Sequence, residues 1–324
     1  MRYRDFGKTG MKVSEIGFGA WALGAEDWWG KQDDKESLKS LERALELGVN
    51  FIDTAAVYGA GKSEKLIRDF LKTRREKVIV CTKTPPETGI WRPDPWTRWD
   101  AAYSEAWLRK DVEHRLRNLG TDCLDILVLH TWTRAWNRDP GPLLALAKLK
   151  KEGKIRAIGI STPEHDQDSV NGPIRDGLVD AIQVIYNIFE QEPASELLPS
   201  AKEKGVGIII RVAFDEGSLT GKYSKDTKIP ATDFRSKYFK GERFGEMVER
   251  VDAIKADIAG SGYTLPQAAL LYTLANPATS TVIPGIRSVS QAEMNTAVSD
   301  LPPMPEELQV RLRKHAWRRG VWYP

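Results

Sequence analysis

The stretch "VNFIDTAAVYGAGKSE", residues 49–64, begins as a buried strand and ends at the start of a helix. Its first residues are nearly all apolar, as in a parallel strand that is covered on both faces. Asp53 and Tyr58 interrupt this pattern at and after the end of the strand. Asp53 alone could cap the following turn. Alternatively, both residues belong to a catalytic set that is completed elsewhere in the chain.

The same strand-and-helix unit recurs along the chain. The strand candidates are "EIGFGA" (15–20), "VNFID" (49–53), "KVIVCTK" (77–83), "CLDILVLH" (123–130), "IRAIGIS" (155–161), "AIQVIYN" (181–187), "GVGIIIR" (205–211) and "STVIPG" (280–285). Eight strands, each followed by a helix or a long loop, predict an α/β fold, a (β/α)8 TIM barrel. The alternative is a doubly wound sheet, but no G-x-G-x-x-G loop follows any of these strands.

Three segments lie outside the strict alternation. The first residues, "YRDFGKTGMKVSEIG", predict a short N-terminal hairpin with Lys-Thr-Gly at its turn. Residues 213–261 and 301–324 predict extra helical segments towards the C-terminus. Because no low-complexity linker divides the chain, we expect one domain over residues 1–324.

The composition excludes several classes of protein. The chain has 324 residues, of which 41% are hydrophobic and 29% charged, as in ordinary globular proteins. Its net charge of +3 is too small for the basic surface of a nucleic-acid binder. No apolar run approaches the roughly 18 residues of a membrane span, and no secretory signal is apparent. The only cysteines, Cys81 and Cys123, fall in predicted strands, so we expect buried thiols and a cytoplasmic setting.

Polar residues end three neighbouring strands of the predicted barrel. Asp53 ends the second strand, Lys83 the third and His130 the fourth, and Tyr58 follows the second. Since active sites of such barrels lie at the C-terminal ends of the strands, we expect these four side chains to surround one point. Each alone has an ordinary interpretation as a turn cap, a buried aromatic, a solvated charge or a core histidine. Together they favour a catalytic site.

This combination suits the reduction of a carbonyl group, whose oxygen needs a proton as negative charge develops. Tyr58 would supply the proton, although a phenol is a weak acid at neutral pH. Lys83 would stabilise the phenolate, and Asp53 would hold Lys83 charged and in position. A neutral His130 would donate a hydrogen bond to the carbonyl oxygen. No side chain supplies hydride, which requires a nicotinamide cofactor.

Eight motifs occur in the order found in the aldo-keto reductase family. They are "FGKTGMKVSEIGFGAWALG", "GVNFIDTAAVYGAGKSE", "KVIVCTK", "LVLH", "GKIRAIGIS", "QVIYN", "GSLTGKY" and "TVIPGIRSVSQAEMN". The chain resembles that family over essentially its whole length. The resemblance implies an NADPH-dependent reductase whose catalytic tetrad falls on Asp53, Tyr58, Lys83 and His130.

The resemblance also implies a nicotinamide site after the fifth to seventh strands. Ser161, Thr162 and Gln183 would hold the carboxamide, with Thr162 in place of the usual asparagine. Arg211 stands where the family often has an aromatic residue that stacks on nicotinamide. A guanidinium could stack there or pair with the pyrophosphate, and the sequence leaves both roles open. Phe214 begins a segment similar to the loop that closes over the pyrophosphate.

The motif "IPGIRSVSQAEMN" resembles the adenosine end of such a site. By that resemblance Arg287 and Gln291 would meet the 2′-phosphate and Asn295 the adenine, with Met294 where many relatives have glutamate. An arginine at a helix start is a good phosphate ligand on physical grounds as well. The full set of expected NADP(H) contacts is Gly19, Ala20, Trp21, Ser161, Thr162, Gln183, Arg211, Phe214, Gly217, Leu219, Gly221, Lys222, Gly285, Arg287, Gln291 and Asn295.

Eleven tryptophans are many for a chain of this length, and most fall in loops predicted at the catalytic end. They could wall a pocket for a bulky or aromatic carbonyl substrate, or they could anchor long loops. The first candidates for substrate contact are Trp28, Trp29, Trp91 and Trp132. No cluster of His, Cys, Asp or Glu has metal-site spacing, so no metal is predicted.

Two other functions remain open for this sequence. A cofactor-binding regulatory subunit on the same fold, like the β subunits of potassium channels, could retain the tetrad. A barrel lyase or isomerase would use Lys83 as a Schiff base, but Asp53 and Tyr58 beside it argue against that use. The sequence does not indicate the oligomeric state, and neither a nucleic acid nor a membrane is an expected partner.

Overall fold

The computed structural model of the chain describes residues 1–24, 33–72, 74, 78–87 and 93–320. Its first element is a hairpin of two antiparallel strands, β1 (Tyr3–Asp5) and β2 (Lys12–Ser14). The turn between them is closed by the Phe6 amide, which donates to the Met11 carbonyl at 2.9 Å. The expected N-terminal hairpin is therefore confirmed.

Eight parallel strands follow and form one sheet. They are β3 (Phe18–Gly19), β4 (Phe51–Asp53), β5 (Ile79–Thr84), β6 (Leu124–Leu129), β7 (Ile155–Ser161), β8 (Ala181–Ile185), β9 (Gly207–Arg211) and β10 (Thr279–Val282). Each strand pairs with its neighbours in the chain. Parallel bridges from Ile16 to Val282 and from Gly19 to Gly285 join the two edges. The curved sheet is thereby closed, as the predicted (β/α)8 barrel requires.

The apolar strands are buried on both faces because two separate cores enclose them. In β6, Ile126 and Val128 lie in the barrel interior, whereas Leu127 and Leu129 pack in the layer beneath the helices. Phe6 of the hairpin also belongs to the interior core. The hairpin therefore closes the end of the barrel opposite the catalytic residues.

Helices surround the sheet. Within the described residues they are α1 (Asp34–Glu46), α2 (Lys62–Leu71), α3 (Trp99–Ala102), α4 (Glu105–Leu119), α5 (Gly141–Lys151), α6 (Asn171–Arg175), α7 (Leu197–Lys204), α8 (Arg235–Tyr238), α9 (Arg243–Ile258), α10 (Leu265–Ala275), α11 (Val289–Thr296) and α12 (Glu306–Arg313). Local chemistry sets several ends: the Ser104 hydroxyl accepts from the Trp107 amide, and Gly120 ends α4 in the left-handed conformation. No described helix is both long and apolar enough to cross a membrane.

The two cysteines differ in environment. Cys81 is buried on β5, as expected. Cys123 precedes β6, which begins at Leu124, and its side chain is partly exposed. The prediction of a buried thiol at Cys123 is therefore wrong, because the strand starts one residue later than its apolar pattern indicates.

Candidate active site

A buried lysine joins the residues at the ends of β4 and β5. The Lys83 ammonium donates to both carboxylate oxygens of Asp53 at 2.7 Å and to the Thr54 carbonyl at 2.7 Å. It also donates to the Tyr58 hydroxyl at 3.4 Å. Lys83 is only 1% exposed, and an ammonium buried to this extent must be paired. The structure thus brings three of the four expected tetrad residues into direct contact.

The backbone after β4 fixes Tyr58 at the mouth of the barrel. The Tyr58 amide donates to the Ala55 carbonyl at 3.1 Å. The next three residues have positive φ and turn the chain into α2. Gly59 is required there, since a Cβ would lie 2.3 Å from the Gly24 carbonyl oxygen. The Tyr58 ring meets His130 edge-on at 6.4 Å, so His130, the fourth expected residue, lies in the same cluster.

The electrostatic environment sets the charge of each tetrad group. Burial raises the pKa of Tyr58, and the Lys83 ammonium acts in the opposite direction. Burial alone would lower the pKa of Lys83, but Asp53 holds that pKa above its ordinary value. Burial and the charges of Lys83 and Arg211 bring the pKa of His130 well below its usual range. At neutral pH the site therefore has a protonated tyrosine, an ammonium and a neutral imidazole.

A chain of hydrogen bonds links the expected nicotinamide residues to this cluster. The Gln183 amide donates to Asp53 Oδ1 at 2.7 Å, and the Ser161 hydroxyl donates to Gln183 Oε1 at 3.2 Å. Thr162 donates instead to Gln167 at 3.0 Å. Sequence reasoning missed Gln167 because it lies in a segment interrupted by Gly and Pro, where no regular element is apparent.

Arg211 lies at the end of β9 between two acceptors. Its Nη2 donates to the Thr162 carbonyl at 2.9 Å, and its Nη1 lies 3.7 Å from Glu164 Oε1. Its Nε is buried and has no hydrogen-bond partner within the described part of the chain. An unpartnered donor of this kind fits a site that takes a polar ligand.

The segment after β9 has an unusual backbone. Val212, Asp215 and Glu216 have φ values of 56°, 43° and 55°, in the left-handed region that favours glycine. Each such residue costs about 1–3 kcal/mol and persists only where surrounding contacts fix it. Here Arg319 donates to Asp215 at 3.1 Å and to Glu216 at 2.8 Å. Sequence reasoning did not identify Arg319, which lies about a hundred residues away in the chain.

The other loop residues that were expected to contact the cofactor lie in this same segment after β9. Phe214 is half-buried and Leu219 is fully buried in the core. Gly217 and Gly221 adopt positive φ, which allows the tight turns around them. Lys222 ends the segment with its ammonium 5.2 Å from the Tyr223 ring centre.

Three cations lie near each other at the expected adenosine end of the cofactor site. They are Lys222, Arg235 and Arg287. The Gln291 side chain accepts from the Arg287 amide at 2.8 Å, and Ser288 caps α11. Burial and the charge of Arg235 lower the pKa of both Arg287 and Lys222. Asp233, which is paired with Arg235, acts on both pKa values in the opposite direction. Sequence reasoning missed Arg235, an arginine inside the irregular region 213–261.

The other predicted contacts lie around the barrel mouth. Gly19 ends β3, where a Cβ would clash with the Pro284 carbonyl at 2.7 Å. The Ala20 amide donates to the Asp53 carbonyl at 2.9 Å, and Trp21 stacks on Tyr58 at 6.3 Å. A Cβ at Gly285 would lie within 4 Å of none of the described residues other than its neighbours in the chain. Asn295 is buried on α11, and the neighbouring Met294 is exposed.

Four tryptophans were the expected substrate contacts. Trp28, Trp29 and Trp91 lie outside the described residues. Trp132 is 1% exposed, and its indole N–H donates to Asn137 at 2.8 Å. Its burial favours the loop-packing interpretation, while its contact with substrate stays a prediction. Over the described part of the chain, no His, Cys, Asp or Glu side chains are grouped as metal ligands.

The model of the family described as "Aldo/keto reductase family" matches residues 15–316. The chain is 30% identical over 302 residues to the aldo-keto reductase YhdN of Bacillus subtilis (strain 168), covering 90% of this chain and 87% of that protein. It is 27% identical over 322 residues to the NADH-specific methylglyoxal reductase of Escherichia coli (strain K12), covering 93% and 94%. The solved holo form of aldo-keto reductase AKR11C1 from Bacillus halodurans has a TM-score of 0.77 at 26% identity, covering 99% and 98%. The chain therefore belongs to the aldo/keto reductase family of oxidoreductases, which use nicotinamide cofactors.

Proposed function

We propose that this protein reduces aldehydes or ketones to alcohols with NADPH, and oxidises the alcohols when the cofactor ratio reverses. One observation carries the proposal. The Lys83 ammonium lies between the Asp53 carboxylate at 2.7 Å and the Tyr58 hydroxyl at 3.4 Å, at the mouth of the barrel. An ammonium held in this way stabilises the phenolate that remains when Tyr58 gives up its proton.

The residues present suit a nicotinamide dinucleotide. The buried Nε of Arg211 has no partner among the described residues, and the positive charge of Arg235 acts on both Lys222 and Arg287. Neighbouring cations of this kind fit phosphate groups. Ser161 and Gln183 would hold the carboxamide, and Arg287 with Arg235 would hold a 2′-phosphate. The bound cofactor would supply the hydride.

The chain's own residues would handle the proton and the carbonyl oxygen. Tyr58 donates its proton to that oxygen as negative charge develops there. Lys83 stabilises the resulting phenolate, and Asp53 keeps Lys83 charged. His130, neutral because its pKa is lowered, donates a hydrogen bond that orients the carbonyl.

We propose NADPH rather than NADH because of the adenosine end. Arg235 and Arg287 are close enough for the charge of one to lower the pKa of the other. Two neighbouring guanidinium groups favour the dianionic 2′-phosphate of NADPH over the 2′-hydroxyl that NADH has at the same position. A bulky or aromatic substrate is proposed on the aromatic wall beside Tyr58, where Trp21 stacks on Tyr58 and packs 5.5 Å from Phe234.

The deciding experiment follows NADPH oxidation against a panel of aliphatic and aromatic aldehydes and ketones. Tyr58→Phe should lower turnover by at least about 100-fold, because it removes the proton donor, while leaving NADPH affinity near wild type. Tyr3→Phe is the matched control, since Tyr3 lies on the N-terminal hairpin, away from the site, and its hydroxyl donates to the Gly48 carbonyl. NADH serves as the cofactor comparison.

Full activity in Tyr58→Phe would remove Tyr58 as the proton donor. Equal use of NADH and NADPH would contradict the proposed role of Arg287. Tight NADPH binding by the wild type without turnover of any carbonyl would favour the regulatory-subunit alternative.

A further inference from the structure

A buried arginine near the C-terminal end contacts three carboxylates. The Arg319 side chain is fully buried. Its guanidinium donates to Asp215 Oδ1 at 3.1 Å, to Glu216 Oε1 at 2.8 Å and to Glu164 Oε2 at 3.4 Å. A buried charge with this many partners is a fixed part of the structure, because breaking it would leave other charges buried and unpaired.

The contacts of Arg319 connect two walls of the proposed nicotinamide site. Glu164 follows β7 and also lies 3.7 Å from the Arg211 guanidinium. Arg211 in turn donates to the Thr162 carbonyl. Asp215 belongs to the other wall, the segment after β9. One guanidinium therefore sets the spacing between residues that follow two different strands.

Arg319 also supports the unusual backbone after β9. Asp215 and Glu216 both have positive φ, which residues other than glycine adopt only under external constraint. The Tyr238 hydroxyl donates to Asp215 Oδ1 at 2.8 Å, and the Arg319 guanidinium lies 5.1 Å from the Tyr238 ring centre. The contacts that hold this backbone therefore come from other parts of the chain.

The fold itself places Arg319 at this point. The Trp317 amide donates to the Phe189 carbonyl at 2.8 Å, and the two rings meet edge-on. Two guanidinium groups cover the Trp317 ring, that of Arg243 at 3.8 Å and that of Arg250 at 4.8 Å from its centre. The segment that carries Arg319 is thus anchored through Trp317, which packs between Phe189 and the two arginines of α9.

We propose that Arg319 is a positioning residue for the cofactor. It holds the loop from Phe214 to Lys222 and the side chain of Arg211 in the arrangement that binds the dinucleotide. It also neutralises Asp215 and Glu216, whose charges would otherwise repel an anionic cofactor. This inference rests on the proposed function, and it makes the C-terminal segment part of the cofactor site.

The test compares Arg319→Met with Arg318→Met. Arg318 is the neighbouring arginine, and its side chain is exposed. NADPH is titrated against the quenching of tryptophan fluorescence, and circular dichroism and thermal unfolding without cofactor report the fold. In folded Arg319→Met the Kd for NADPH should rise at least about tenfold, against about twofold or less in Arg318→Met. Arg319→Lys, which keeps the charge but not the planar fork, should recover part of the affinity.

Kinetics separate positioning from general damage. With NADPH saturating, kcat of folded Arg319→Met should stay within about threefold of wild type, while KM for NADPH rises with Kd. Unchanged Kd in folded Arg319→Met would overturn the proposal. If that variant does not fold, Glu164→Gln decides: its Kd should rise several-fold, and an unchanged Kd would overturn the proposal equally. Failure of the proposed function is a separate result, in which the wild type itself does not bind NADPH.

Discussion

Strand β5 carries a buried charged cluster on each of its two faces. On the face towards the helices, the Thr82 hydroxyl donates to Glu64 at 2.7 Å and the Thr84 hydroxyl donates to Asp111 at 2.9 Å. Arg115 lies 3.1 Å from Glu64 and completes this outer cluster. On the face towards the barrel interior, Lys83 forms the inner cluster with Asp53, Thr54 and Tyr58.

The inner and outer clusters differ in whether one of their side chains is exposed to solvent. Both oxygens of Glu64 accept hydrogen bonds, the second from Asn118 at 2.8 Å, and Glu64 is fully buried. In the inner cluster the chain of contacts ends at Tyr58, which is partly exposed at the barrel mouth. Buried charge alone therefore does not indicate a reactive site. The inner cluster can act on a ligand because its last residue, Tyr58, is partly exposed at the barrel mouth.

Replacing the cation of the inner cluster should have the largest effect. Lys83→Met should lower turnover by at least about 100-fold, because the Tyr58 phenolate loses the ammonium beside it. Initial rates of NADPH oxidation measure this loss. Lys72→Met, at an exposed lysine after α2, should keep wild-type rates. Normal turnover in Lys83→Met would remove the lysine from the mechanism.

The same replacement in the outer cluster should affect stability instead. Burial raises the pKa of Glu64 and Asp111, and Arg115 opposes that shift. Arg115→Met leaves both carboxyls buried without their cation, so we expect the free energy of unfolding to fall by about 3–5 kcal/mol. Urea unfolding measures the fall, and kcat of the folded variant should stay within about threefold of wild type. A loss of kcat like that in Lys83→Met would mean that the two clusters are coupled across β5.

A smaller effect should appear in the pH dependence of stability. The pKa of His130 is well below its ordinary value in the folded protein, mainly through burial. As pH falls below about 6.5, the unfolded chain takes up a proton at this position before the folded protein does. His130 therefore destabilises the fold by up to about 1.4 kcal/mol for each pH unit below that value.

Urea unfolding of the wild type and His130→Gln at pH 7.5 and pH 5.5 measures this contribution. The wild type should lose up to about 1.4 kcal/mol more than the variant between the two pH values. Identical losses would show that His130 titrates normally in the folded protein.

The fold was largely predictable because burial on both faces produces long apolar runs. "IRAIGIS" coincides with β7 residue for residue. Asp53, Lys83 and His130 could be grouped because the C-terminal ends of neighbouring barrel strands lie close together. Cys123 shows the limit of this reasoning, because a strand start displaced by one residue changes whether a side chain is buried.

Other residues of the site could not be predicted from the sequence, for a different reason. Gln167 and Arg235 lie in irregular segments whose course follows from tertiary packing. Arg319 lies in the C-terminal segment, where an arginine is ordinarily expected to be exposed. Its partners lie roughly a hundred or more residues away in the sequence. The burial of Trp132 likewise depends on how its loop packs. The local sequence pattern does not reveal contacts between residues that come together only in the folded protein.

The bridge between Gly19 and Gly285 has a consequence for the folding kinetics. It joins the first and last barrel strands, so almost the whole chain must leave the ribosome before the barrel can close. Contacts between residues so far apart in sequence slow folding, because a long loop must be ordered first. Until then the edges of β3 and β10 lie open to pairing with other chains. We therefore expect recovery of folded protein to depend on temperature and chaperone supply during synthesis.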